Sequence, residues 1–184
     1  VPLLPMSLPH ALLTALVEHP CSGSELAERF DRSIGYFWNA THQQIYRELA
    51  RLEEAQWIEA LPAESGRGRK RQYRILPTGR KELKRWVAEQ EDPKPLREEW
   101  MVRLRAEAVV GPCGLQDEVQ RLLALHQAQL DVYQRLEQRD FLDKPPTRER
   151  RLQHLVLKAG IQHEQLWIGL LHEAREILDM PARP

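Results

Sequence analysis

The period of the apolar residues changes at Trp57, and that change constrains the fold more than any other feature of the sequence. Before it, apolar residues recur every three or four positions, which is typical of helices. Residues 57–61 and 69–76 instead have the pattern of strands, with Tyr73 and Ile75 alternating with charged residues in the second, and the segment between them contains two glycines. Pro77-Thr78-Gly79 then opens another helical pattern, which extends through Val87. We therefore predict a two-stranded β-hairpin placed between helices.

Three helices are predicted before the hairpin. The first covers residues 7–18, the second begins at the cap Ser22-Gly23-Ser24 and ends near Arg32 or Ser33, and the third covers about 41–55. The third helix has either Asn39 or Thr41 as its N-cap, and its core positions are Ile45, Leu49 and Leu52. Its predicted outer face carries Gln43, Gln44, Arg47, Glu48 and Arg51. This order of elements is that of a winged helix-turn-helix, whose third helix enters the major groove of DNA.

The remainder of the chain is predicted to be helical. A charged, proline-containing segment over residues 90–95 separates it from the hairpin region, and helices follow over 96–109, 115–139 and about 148–178. The predicted fold is therefore mainly α. It has an N-terminal winged helix-turn-helix DNA-binding domain with a two-stranded wing (residues 1–90) and a C-terminal helical dimerisation domain, or arm (91–184).

The last helix carries two apolar stripes, whereas a surface helix of a monomer needs only one. The first stripe comprises Leu152, Leu155, Val156, Ala159, Leu166 and Leu170. The second comprises Leu157, Ile161, Trp167, Ile168 and Leu171. Two stripes indicate burial against the helix's own chain on one side and against a partner on the other, and the small residues Ala159, Gly160 and Gly169 suit close helix packing. We therefore predict a homodimer. The alternative is a helix enclosed within a monomeric bundle.

Positive charge is concentrated in one part of a chain whose formal net charge is zero. Residues 67–85 hold nine Lys or Arg and a single acid, Glu82, which is typical of a surface that meets an anionic partner. The predicted DNA-binding residues are Asn39, Thr41, His42, Gln43, Tyr46 and Arg47 around the third helix, and Arg67, Arg69, Lys70 and Arg71 in the wing. Gln can bond adenine and Arg can bond guanine at two points, whereas wing cations meet phosphate or the minor groove. For Tyr46, packing beside Ile45 is an equal alternative.

Several short motifs occur along the first half of the chain: Ser7-Leu8-Pro9-His10-Ala11-Leu12-Leu13, Ser22-Gly23, Glu25-Leu26, Ile45-Tyr46-Arg47-Glu48-Leu49, Leu52-Glu53, Gly68-Arg69, Tyr73 and Thr78-Gly79. Together they resemble the motifs of the PadR family of bacterial regulators. The resemblance spans about residues 7–87, and the arm resembles that of the subgroup with phenolic-acid repressors and virulence activators. It implies a homodimer with interlocking arms, usually a repressor, sometimes released by a small aromatic ligand. Two positions depart from the family: Ser24 replaces a tyrosine, and Gln56 replaces a glycine before the first wing strand.

Other classes of function find little support in the sequence. It contains no phosphate-binding loop, nucleophile motif or paired acids, so we predict no enzyme and no cofactor. His154, His163 and His172 fall on alternating sides of one helix, which disfavours a metal site. No apolar run is long enough for a membrane span, and two isolated cysteines fit a reduced, cytoplasmic protein.

Two hypotheses remain open at this stage. Trp100 and Trp167 are candidates for stacking a flat aromatic effector at the dimer interface, although ordinary core filling is the favoured alternative. A winged-helix module that binds protein instead of DNA is the rival function, and the basic hairpin argues against it.

Overall fold

The computed structural model describes residues 7–32, 40–61, 71–93 and 95–181. The chain divides into two compact units, residues 1–93 and 94–184. Asn39, Arg67, Arg69 and Lys70, all predicted to bind DNA, lie outside the described residues.

The N-terminal unit combines four helices with a small sheet. Its elements are α1 (Ser7–Glu18), β1 (Cys21–Ser22), α2 (Gly23–Arg32), α3 (His42–Glu54), β2 (Ile58–Ala60), β3 (Gln72–Ile75) and α4 (Pro77–Val87). The sheet is antiparallel with the order β1-β3-β2, and Tyr73 of β3 is opposite both Cys21 and Ala60. The predicted hairpin is confirmed. Strand β1 was not predicted, because its two residues were interpreted only as the cap of the second helix.

The core of this unit lies between α1, α3 and the sheet. Leu12, Leu13 and Leu16 of α1 are fully buried against the three predicted core residues of α3, Ile45, Leu49 and Leu52. The buried side chains of β3 alternate along the strand, as expected for a sheet with one covered face. The sheet therefore seats the hairpin against the inner face of α3.

The turn between α3 and β2 is a Schellman motif. The amide of Gln56 donates to the Glu53 carbonyl (3.0 Å), and the amide of Trp57 donates to the Leu52 carbonyl (2.9 Å). Gln56 has a φ of +56°, so it takes the left-handed conformation that glycine adopts readily. Gln56 therefore preserves the bend into the wing although it replaces the family glycine. It does so in a backbone conformation that residues with a side chain adopt at a cost.

Helix α4 begins unusually close to that turn. A Cβ atom on Gly79 would lie 2.3 Å from the Trp57 carbonyl oxygen, so no side chain fits there. The Thr78 hydroxyl donates to the Gln56 carbonyl, and the Leu76 amide donates to the Trp57 carbonyl (2.8 Å). Thr78-Gly79 thus attaches α4 to the base of the hairpin.

The C-terminal unit is an all-helical arm. It contains α5 (Glu99–Val110), α6 (Leu115–Glu137), a π-helical turn (Gln138–Leu142) and α7 (Arg148–Leu178). The predicted breaks at residues 111–114 and 144–147 are confirmed, whereas α5 begins three residues later than predicted, with Glu98 as its cap. Within the described ranges, no helix is both long and apolar enough to cross a membrane.

Helices α6 and α7 pack against each other as an antiparallel pair. The Gln116 side chain, near the start of α6, donates to the carbonyl of Leu178, the last residue of α7. Farther along, Glu164 is paired with His126 (2.6 Å) and Glu137 with His154 (2.5 Å). A Cβ on Gly160 would lie 3.1 Å from the Tyr133 ring. Gly160 therefore serves packing within the chain, where the sequence had suggested packing against a partner.

Candidate nucleic-acid interface

Helix α3 begins with a complete capping box. The Thr41 hydroxyl accepts from the Gln44 amide (3.2 Å), and the Gln44 side chain accepts from the Thr41 amide (2.8 Å). Thr41 is therefore the N-cap that the sequence offered as one of two choices. Because both side chains bond the backbone, they fix the end of the helix that would approach DNA first.

The exposed face at the start of α3 is polar. The residues His42, Gln43 and Arg47 are all exposed, as predicted, and the last two lie on the side of the helix opposite the buried Ile45. The sequence predicted that Glu48 also lies on this outer face. That prediction is wrong, because Glu48 is only 6% exposed. Position 48 falls three after Ile45 and four before Leu52, so the helical repeat turns it inward. Its carboxylate lies 3.5 Å from Arg51, which covers it from the solvent side.

Tyr46 lies between the polar face of α3 and the start of α2. It is 47% exposed, beside the polar face. Its ring lies over the start of α2, where a Cβ on Gly23 would approach the ring to 2.6 Å. Gly23 thus lets the third helix pack closely across the second. The sequence did not predict this contact with α2, and the phosphate contact of Tyr46 stays a prediction.

Hydrogen bonds and an ion pair fix α2 to Ser22 at its start and to the end of α1. Ser22 and Glu25 cap its start, since the Ser22 amide donates to the Glu25 carboxylate (2.8 Å) and the Glu25 amide donates to the Ser22 hydroxyl (3.2 Å). Arg29 donates to the Ala15 carbonyl (3.3 Å) and pairs with Glu18 (3.0 Å), both near the end of α1. Burial raises the pKa of the nearby Cys21 thiol, opposed in part by Arg29, so this thiol is protonated at neutral pH.

The base of the wing carries two cross-element ion pairs. Arg71, directly before β3, pairs with Glu53 in the last turn of α3 (2.5 Å), and its guanidinium lies 5.5 Å from the centre of the Tyr73 ring. Arg74 of β3 pairs with Glu59, its opposite residue on β2. The sequence did not predict that Glu53 pairs with Arg71. Nothing in the pattern of α3 itself indicates which side chain of another element Glu53 faces.

The two candidate effector residues have different environments in the arm. Trp100 is 6% exposed and packs in the arm core with Val119, Leu123 and Leu171. Trp167 is half-buried beside that core and stacks on the His126 ring, with centroids 5.8 Å apart. Core filling accounts for the position of Trp100, whereas Trp167 keeps part of its surface at the edge of the arm.

Both units match described protein families. Residues 12–85 match the family described as "Transcriptional regulator PadR-like family". Residues 96–179 match the one described as "Virulence activator alpha C-term". The two matches divide the chain at the same segment that separates its compact units.

Full-length similarity extends to characterised and solved proteins. The chain is 42% identical to Rv1176c of Mycobacterium tuberculosis, a probable transcriptional regulator, over 94% of this chain and 98% of that protein. It superposes on the Vibrio cholerae virulence activator AphA with a TM-score of 0.79 and 28% identity, covering 94% of this chain and 98% of that one. Bacillus subtilis PadR, solved in complex with operator DNA, has a TM-score of 0.81 at 23% identity, covering 95% and 99%. The same protein in complex with p-coumaric acid has a TM-score of 0.77 at 23% identity, covering 95% and 100%.

Proposed function

This chain belongs to the PadR-like family of transcriptional regulators, and from that premise we propose that it represses transcription as a homodimer bound to a pseudo-palindromic operator. The observation that carries the proposal is the polar, exposed start of α3. The exposed side chains there are His42, Gln43 and Arg47, and the inner face of the same helix is buried in the core. A rigid helix with exposed hydrogen-bonding side chains at its N-terminal end is what major-groove reading requires.

The remaining predicted contacts would supply affinity more than sequence reading. Tyr46, exposed beside the polar face, would contact a phosphate, and the cations Arg67, Arg69 and Lys70 would extend the basic character of the hairpin. Asn39 precedes the cap of α3 by two residues in the sequence and would contact the DNA backbone beside the major groove. Exposed cations that neutralise phosphates make binding steeply dependent on salt.

Dimerisation is supported by the apolar surface of α7. Five residues of the first predicted stripe are exposed in the single chain: Leu152, Leu155, Val156, Ala159 and Leu166. The second stripe instead packs inward, with Ile161 and Leu171 buried. An exposed leucine row of this length suits burial against a second copy, and a two-fold dimer would present two α3 helices to successive major grooves.

The test of this function is binding of the purified protein to the DNA upstream of its own gene, across a series of salt concentrations. We expect tighter binding than to random DNA of equal length, with a steep salt slope. Arg47→Ala should lose about 1–3 kcal/mol of that preference, whereas Arg105→Ala, an exposed arginine of the arm, should leave it unchanged. Equal affinity for both DNAs would contradict the proposal and favour the protein-binding module.

We propose a small aromatic acid as the effector that releases the operator, with Trp167 as its stacking residue. The support is the half-buried ring of Trp167 and the p-coumaric acid complex of the similar Bacillus subtilis protein. Titration with p-coumaric acid should quench tryptophan fluorescence and weaken operator binding, and Trp167→Phe should reduce both effects. Unchanged fluorescence, melting temperature and operator affinity would rule out this ligand.

A further inference from the structure

Arg71 lies on the same side of its strand as two buried residues, although its own side chain is 58% exposed. It precedes Tyr73 by two residues, and side chains two apart along a strand share a face. Tyr73 and Ile75 are buried on that face, whereas Gln72 and Arg74 are exposed on the other. The position of the Arg71 guanidinium, beside the Tyr73 ring and against Glu53, agrees with this register.

Glu53 meets Arg71 from the recognition helix. It lies in the last turn of α3, and its side chain is 33% exposed. The adjacent Glu54 is exposed and makes no ion pair within the described part of the chain. The pair therefore joins the last turn of α3 to the residue directly before β3.

We propose that Glu53 and Arg71 are positioning residues of the DNA interface, and that Arg71 acts on the wing through Glu53 and not through a phosphate. The inference rests on the proposed function, since it assumes that α3 and the wing bind one DNA. The pair fixes the angle between these two elements, so that both reach the duplex together. The charge of Arg71, which the sequence assigned to DNA, is neutralised by the carboxylate of Glu53.

This role reverses the expected effect of one substitution on operator affinity. A carboxylate on a recognition helix repels the DNA backbone, so its removal should ordinarily strengthen binding. If Glu53 positions the wing, Glu53→Gln should instead weaken operator binding about two- to fivefold, the range expected for a partly exposed ion pair. Glu54→Gln removes the same charge one residue away and should leave affinity unchanged or higher.

The salt slope separates positioning from phosphate contact at Arg71. Arg71→Gln should weaken binding about two- to fivefold with the slope of log K against log salt unchanged. Loss of a phosphate contact would instead reduce that slope by about 1. The double variant Glu53→Gln/Arg71→Gln should bind no more weakly than either single variant, because both remove one shared interaction. Melting temperatures of all four variants establish that each is folded.

A measurement without DNA keeps this inference distinct from the proposed function. The Leu61 amide donates to the Gln72 carbonyl (2.8 Å) at the base of the wing. Its hydrogen exchange should accelerate about two- to fivefold in Glu53→Gln and remain unchanged in Glu54→Gln. The inference is overturned if the two glutamate variants behave alike in both experiments, or if Arg71→Gln lowers the salt slope. Failure of the wild-type protein to prefer its operator would overturn the function and leave the exchange result standing.

Discussion

At Gly79 the backbone of α4 approaches the start of β2 more closely than any side chain would permit. Alanine normally stabilises a helix relative to glycine by about 0.5–1 kcal/mol, but here its Cβ would meet the Trp57 carbonyl at 2.3 Å. A backbone oxygen that already accepts from the Leu76 amide cannot yield as a flexible side chain would. We expect Gly79→Ala to reduce the free energy of unfolding by about 2 kcal/mol, measured by urea denaturation. Arg80→Ala, its exposed neighbour, should change it by less than about 0.5 kcal/mol.

Gln56 is the residue whose replacement should stabilise the protein. It holds a φ of +56° at the position after the cap of α3, where a Cβ costs about 1–2 kcal/mol. Part of the gain from glycine is offset by the greater freedom of the unfolded chain, so we expect Gln56→Gly to add about 0.5–1 kcal/mol. Gln56→Ala keeps the Cβ and should be nearly neutral. A rise in melting temperature with alanine, or none with glycine, would contradict this account.

At the scale of elements, α4 is bonded to α1 through Glu82, a carboxylate whose pKa is lowered in the folded protein. Glu82, whose side chain is 15% exposed, accepts from Arg85 and lies 3.3 Å from His10, whose ring stacks on Trp86. Arg85 first, and His10 second, hold the pKa of Glu82 below its usual value, against the opposing effect of burial. A carboxylate with a lowered pKa stabilises the folded state above its unfolded pKa, and that stabilisation disappears as the pH falls through the folded value.

Glu82→Gln should therefore be less stable than the wild type at pH 7, and the difference should shrink as the pH falls below about 4.5, near the ordinary glutamate pKa. Denaturation curves at a series of pH values measure this directly. Glu28→Gln, an exposed carboxylate of α2, controls for the change in net charge. A difference that is constant with pH would mean that Glu82 acts through packing and not through its charge.

At the scale of the whole molecule, we propose that the exposed stripe of α7 forms the interface of a homodimer. Leu155 is 62% and Leu166 is 60% exposed in the single chain, on the side of α7 that faces away from α6. We expect Leu155→Glu with Leu166→Glu to give a folded monomer, because two carboxylates buried in an apolar interface would be strongly unfavourable. Light scattering after size-exclusion chromatography measures the mass.

The same variant links assembly to operator binding. Two half-sites contacted by one dimer bind far more tightly than one half-site alone, so the monomer should lose most operator affinity while its circular dichroism is unchanged. Val87→Glu introduces the same charge at a 72% exposed valine of the N-terminal unit and should preserve both mass and affinity. A dimer that persists with both glutamates would place the interface on another surface.

The sequence by itself determined the elements, because a helix or a strand depends on residues within a turn or two of one another. Spacing alone predicts the core positions Ile45, Leu49 and Leu52 of α3, the hairpin and the two stripes of α7, and the local hydrogen bonds of the structure then select Thr41 over Asn39 as the cap. The family motifs extended that reading to a fold and a class of function, which the full-length similarity supports.

Only the tertiary structure decided which elements meet at each residue. Gly160 packs on Tyr133 of its own chain, and Arg71 pairs with Glu53. The short β1 exists because β3 offers it a neighbour about 50 residues away, at the Cys21–Tyr73 and Ser22–Gln72 pairs. Such contacts depend on how separate elements pack in space, and their partners lie too far along the chain for a local pattern to register them.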